Sequence, residues 1–156
     1  MKKKLILVAI MSLFMVGCST KEDVNKYGLT KEETQMLIDD SSSFMSNLDT
    51  FLSYYEAGMD FKEVSEMSEE LYKVSRDNIY SIDGFDLGFG DPKNVRSQEG
   101  EELLSNLLSY YAKLDGYVSN IKVRNSESNN HNIENIKSVG FEMVDIINNL
   151  EGEKLD

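Results

Sequence analysis

The chain of 156 residues has no tryptophan, one proline, one histidine and one cysteine. A single cysteine excludes an intramolecular disulfide, so a fold must rest on a buried apolar core. A single histidine, His131 in the polar stretch 125–132, excludes the twice-repeated Glu-x-x-His set of di-iron bundles and leaves a zinc site short of ligands. No metal site is expected. Gly-x-Ser-x-Gly and the Gly-x-x-x-x-Gly-Lys-Ser/Thr phosphate loop are both absent, and nothing in the sequence near His131 would orient it as a base. The expectation is a protein that is not an enzyme. One proline and no long low-complexity tract argue for one domain.

Positive charge is also scarce. Sixteen Lys and Arg face twenty-eight Asp and Glu, a net charge of −12. Nucleic acid is excluded as a partner, because its binding depends on neutralising phosphates. Three of the lysines, Lys2, Lys3 and Lys4, precede an apolar run from Leu5 to Val16 broken only by Ser12. The run is too short to cross a hydrocarbon core of roughly 30 Å comfortably and has the form of a signal-peptide core. It ends Met15-Val16-Gly17-Cys18. This resembles the lipobox of bacterial lipoprotein precursors, with Met15 where Leu is usual and Val16 where Ala or Ser is usual. The resemblance covers residues 1–18 alone. It implies a diacylglycerol on Cys18, cleavage before it, and anchoring of the remainder at the extracytoplasmic face of the cell membrane. No other cofactor is expected. The leader accounts for +3, so the processed chain carries −15. Such a body is repelled by anionic headgroups, and its contact with the membrane is expected through the lipid.

The expected organisation is a leader at 1–17, an acylated cysteine and spacer at 18–29, and a helical body at 30–156. Thr30 and Glu33 form a capping box, after which Leu37, Ser41, Phe44, Leu48, Phe51 and Tyr55 recur at alternating steps of four and three up to Gly58. Asp60, with Glu63 and a Met59–Val64 staple, opens a second helix whose stripe is Val64, Met67, Leu71, Val74, Ile79 and Ile82. Ser97 caps a third, with Leu104, Leu107, Tyr111, Leu114, Val118 and Ile121; its stripe continues past Gly116. After the polar stretch, Ile133, Ile136, Gly140, Met143, Ile147 and Leu150 form a fourth. The fold class is all-α: a four-helix, up-down antiparallel bundle with left-handed packing.

One segment stands apart, "DGFDLGFGDPKN" at 83–94. Its acids do not have the spacing of a calcium loop. Phe85, Leu87 and Phe89 either cap one end of the bundle or form a partner-binding loop with aromatic anchors. The expected function is that of a lipid-anchored interaction module of the accessory, immunity or exclusion type, binding another envelope protein; the alternative is a small-ligand or ion-binding lipoprotein. Cys18→Ala is expected to abolish labelling by a fatty-acid probe and to release the protein from the membrane fraction. A variant still labelled and still sedimenting with membranes would refute the lipobox assignment.

Overall fold

The computed structural model describes residues 23–85, 87, 96–121 and 127–153. Within them lie four helices: α1 (Lys31–Ala57), α2 (Lys62–Tyr80), α3 (Gln98–Asn120) and α4 (Glu127–Gly152). No strand occurs among the described residues. α1 and α3 each pack on both α2 and α4, which sets the helices at the corners of a square. Asn78 of α2 donates to Asp40 of α1 at 2.9 Å, while Asn47, further along α1, donates to the carbonyl of Val64, earlier in α2, at 3.2 Å. The two helices are therefore antiparallel. Lys137–Glu56 at 3.3 Å and Gly140 against Met45 show the same for α4 and α1. Glu33–Arg96 and Ser41–Tyr111 advance together, so α3 runs parallel to α1. The chain is an up-down antiparallel bundle.

Local sequence signals account for most of the helix ends. Thr30 accepts from the Glu33 amide at 3.2 Å and the Glu33 carboxylate accepts from the Thr30 amide at 2.8 Å, which closes the capping box. Gly58 ends α1 in the left-handed conformation, at φ 78°. Ser97 accepts from the Gly100 amide at the start of α3. Gly116 sits inside α3 without interrupting it.

The stripes of α1, α3 and α4 form the core. Leu37, Phe44, Leu48, Phe51, Leu104, Leu107, Tyr111, Leu114, Ile136, Met143 and Leu150 are all buried. Full burial of one such aliphatic side chain contributes about 1.5–3 kcal/mol, offset by the entropy of ordering it. One polar pair lies among them. The Tyr111 hydroxyl and Ser41 Oγ are 2.8 Å apart, across the diagonal between α3 and α1, and Ser75 of α2 is a further partner of the phenol. Phe44 meets the Tyr111 ring edge-on at 5.1 Å.

Four expectations need correction. In the expected stripe of α2, Ile79 and Ile82 are buried and Val64 and Leu71 pack against the core, but Met67 and Val74 are each 53% exposed, and Ser68 and Ser75 are buried instead. Ser75 is a short polar neighbour of the Tyr111 hydroxyl, whereas Ser68 is buried without a hydrogen-bond partner and has no such explanation. α2 also starts one residue late. Asp60 accepts from the Lys62 amide at 3.0 Å, and Phe61 turns inward onto Phe51 and Tyr55 at ring distances of 5.3 and 5.9 Å. Met59 stays half exposed. α4 begins at Glu127, six residues ahead of Ile133, and includes His131, which is exposed. Asn129 is buried there and reaches the Tyr55 hydroxyl at 3.4 Å, so polar residues continue the helix alongside α1. Last, residues 25–29 belong to the folded body, where a spacer over 18–29 was expected. Leu29 is fully buried, and Asn25 accepts from the Tyr27 and Leu29 amides and donates to Thr34 Oγ1.

Burial drives the Tyr111 pKa up, to about 12, against its hydrogen bonds to Ser41 and Ser75. The unfolded phenol loses its proton near 10.0 while the native one keeps it. Stability from this group is complete below the unfolded value and is lost as pH rises through the folded one. Tyr111→Phe is expected to cost about 1–2 kcal/mol near neutral pH, from hydroxyls left unpartnered, and to flatten the decline of stability between about pH 10 and 12. Urea denaturation across that range measures both effects.

Candidate functional site

Of the loop residues singled out by sequence, Phe85 and Leu87 are half-buried and pack against the core; Phe89, like Cys18, lies outside the described residues. Phe85 is held by the start of α3. A side chain on Gly100 would strike the Phe85 ring at 2.6 Å and would also strike the Tyr27 carbonyl oxygen. The Arg96 guanidinium stands 5.9 Å over the Phe85 ring.

Arg96, which sequence reasoning did not single out, organises this end of the bundle. Its guanidinium donates to both Glu33 carboxylate oxygens, at 2.8 and 3.0 Å, and its amide donates to the Gly84 carbonyl at 2.8 Å. It also reaches the Gly28 carbonyl at 3.4 Å. Ser97 Oγ donates to the Lys26 carbonyl, and Lys26 Nζ pairs with Glu153 of the chain end after α4 at 2.7 Å. Phe85 thus packs between the entering chain and the start of α3.

The most exposed large apolar side chain among the described residues is elsewhere. Phe141 is 74% exposed on α4, with Val144 at 39% beside it. Between α4 and α1 the packing opens into an apolar groove of about 210 Å³, lined by Met45, Leu48, Leu52, Ile136, Gly140, Phe141 and Val144, with Asp49 and Lys137 as its charged members. Gly140 makes the groove: a Cβ there would sit 3.2 Å from Met45 Cε, so the methionine lies directly over the bare backbone. Lys137, Phe141 and Val144 recur at steps of four and three, which places them on one side of α4 next to its buried stripe. That second stripe was the signal available in the sequence.

Groups with shifted pKa values lie elsewhere. Burial raises the carboxyl of Asp40, opposed by its bond from Asn78, and burial with the nearby Glu69 charge raises that of Asp115. Asp115 Oδ1 and Ser68 Oγ are buried without hydrogen-bond partners. Among the described residues no group of three or more His, Cys, Asp or Glu gathers where a metal ion could sit, and no helix is long and apolar enough to cross a membrane.

Comparison with known protein families, characterised proteins and solved structures finds no match to this chain.

The cap and the groove make opposite predictions for stability. Gly100→Ala is expected to cost about 1–3 kcal/mol, the range for overpacking a filled site, because backbone at Tyr27 must move. Phe141→Glu is expected to stay within about 0.5 kcal/mol of the parent, as for an exposed position. Thermal melts followed by circular dichroism compare the two.

Proposed function

We propose that the protein is a lipid-tethered, non-catalytic binding module at the extracytoplasmic face of the cell membrane, capturing another envelope protein through the face between α1 and α4. The observation that carries this reading is Phe141, a phenylalanine 74% exposed at the lip of an apolar groove on an otherwise acidic chain. A large aromatic left in water beside other apolar groups is the usual anchor of a protein interface. The lipobox at Met15 to Cys18 supplies the tether, and two acyl chains suffice for stable anchoring. Accessory, immunity and exclusion proteins of the envelope share this size and anchor, which is an analogy of build.

The alternative, a small-ligand or ion carrier, is weaker. The groove of about 210 Å³ falls below the roughly 300–1,000 Å³ of typical small-molecule sites, and a larger hollow of about 600 Å³ is lined by residues of α1 alone, so it lies open on the surface. Phe85 and Leu87 are less suited to capture than Phe141, because their apolar surface is already engaged by the core.

Crosslinking in intact cells tests the proposal. Phe141→Glu is expected to abolish capture of the partner, with the bundle still folded. Val74→Glu, the same kind of apolar-to-acid change at an exposed position of α2, is expected to leave capture unchanged. Undiminished capture by the Phe141 variant would sink the assignment of this face.

A further inference from the structure

Granting that this face docks a partner, we infer that the α1–α4 groove takes a basic amphipathic helix. Shape is the first reason. Two antiparallel helices bound the groove lengthwise, and the segment that lies best in such a furrow is a third helix with apolar side chains at i, i+3 or i+4, and i+7. No strand edge exists among the described residues to recruit an extended peptide.

Charge is the second reason. Glu134 and Asp145 lie seven residues before and four residues after Phe141, so both flank it on the same side of α4, and both are exposed. On α1, Asp49 and Glu56 follow Met45 by four and eleven residues, on the same side of that helix, and are likewise exposed. Against these four carboxylates stands Lys137, already paired with Glu56 at 3.3 Å. The groove is therefore an apolar floor between two acidic margins. Its complement has an apolar stripe bordered by lysine or arginine on both sides, an arrangement that favours encounter as well as register.

The same margins disfavour the other occupants. A second copy of the processed chain would bring its own acidic rims and a net charge of −15. An anionic lipid surface meets the same repulsion.

A photo-crosslinking phenylalanine analogue placed at position 141 of the full-length chain, in intact cells, reads the occupant directly once the joined peptide is sequenced by mass spectrometry. The expected product is a segment with lysine or arginine flanking an apolar stripe of helical period. Asp49→Lys combined with Asp145→Lys is expected to lower its yield about tenfold, as loss of complementary charge at an interface does, while the circular dichroism melt is kept. An acidic or uncharged segment, or a yield indifferent to the charge reversals, overturns the basic helix and leaves the docking face standing. Adducts only with lipid, or only with a second copy, overturn the face as well.

Discussion

One hydroxyl pair in the middle of the bundle, Ser41 to Tyr111 at 2.8 Å, sets constraints that the rest of the packing obeys. Apolar stripes of the same period can slide past one another by a turn at modest cost. A buried phenol cannot, because away from its partner it loses a hydrogen bond in a medium with no water to replace it. The pair spans the diagonal and locks α1 to α3, and Ser75 brings α2 into the same arrangement. Fixing α2 with its serines inward has a surface consequence: Met67 and Val74, the residues its own hydrophobicity would bury, face water.

A second constraint acts at the end where the chain enters. Arg96 bonds to Glu33, Gly84 and Gly28, and Glu33 is at the same time half of the α1 capping box. The guanidinium and carboxylate are mostly shielded, at 27% and 19% exposure, so this charge-assisted pair, from one Arg96 nitrogen to both Glu33 oxygens, is stronger than a surface ion pair. The capping box alone would order one turn. With Arg96 it orders the 25–29 turn, the exit of α2 and the entry of α3 together, and Phe85 packs half-buried beneath them.

What was legible in the sequence was whatever short range decides. Thr30 with Glu33, Gly58 and Ser97 act within four residues, and their geometry follows from local chemistry. The stripes of α1, α3 and α4 were legible because every heptad repeats the same preference. The burial of Ser75 in α2 was not, since its partner is a hydroxyl 36 residues further on, in α3. Asn129 and Asn25 were hidden for a related reason: asparagine reads as loop or spacer until a partner such as Tyr55 or Thr34 is brought to it. In the candidate site, Phe85 and Leu87 were legible as unusual residues, but the choice between cap and anchor depended on the backbone of Tyr27 and on Gly100. Phe141 was visible only as an apolar residue one step off the buried stripe.

The boundary of the folded body bears on the proposed tether. Asn25 bonds to Thr34 beside the Arg96 clasp, so a lipid on Cys18 would be joined to it through residues 19–24, which can span at most ~20 Å. The clasped end would then lie near the bilayer, and α1, with 27 residues, is ~40 Å long. Met45, Leu52 and Phe141 lie along that length, away from the clasped end. Under the proposed anchor a helix in the groove would lie within ~60 Å of the membrane. A basic helix emerging from the bilayer would meet that condition at a smaller entropic cost than a freely diffusing one.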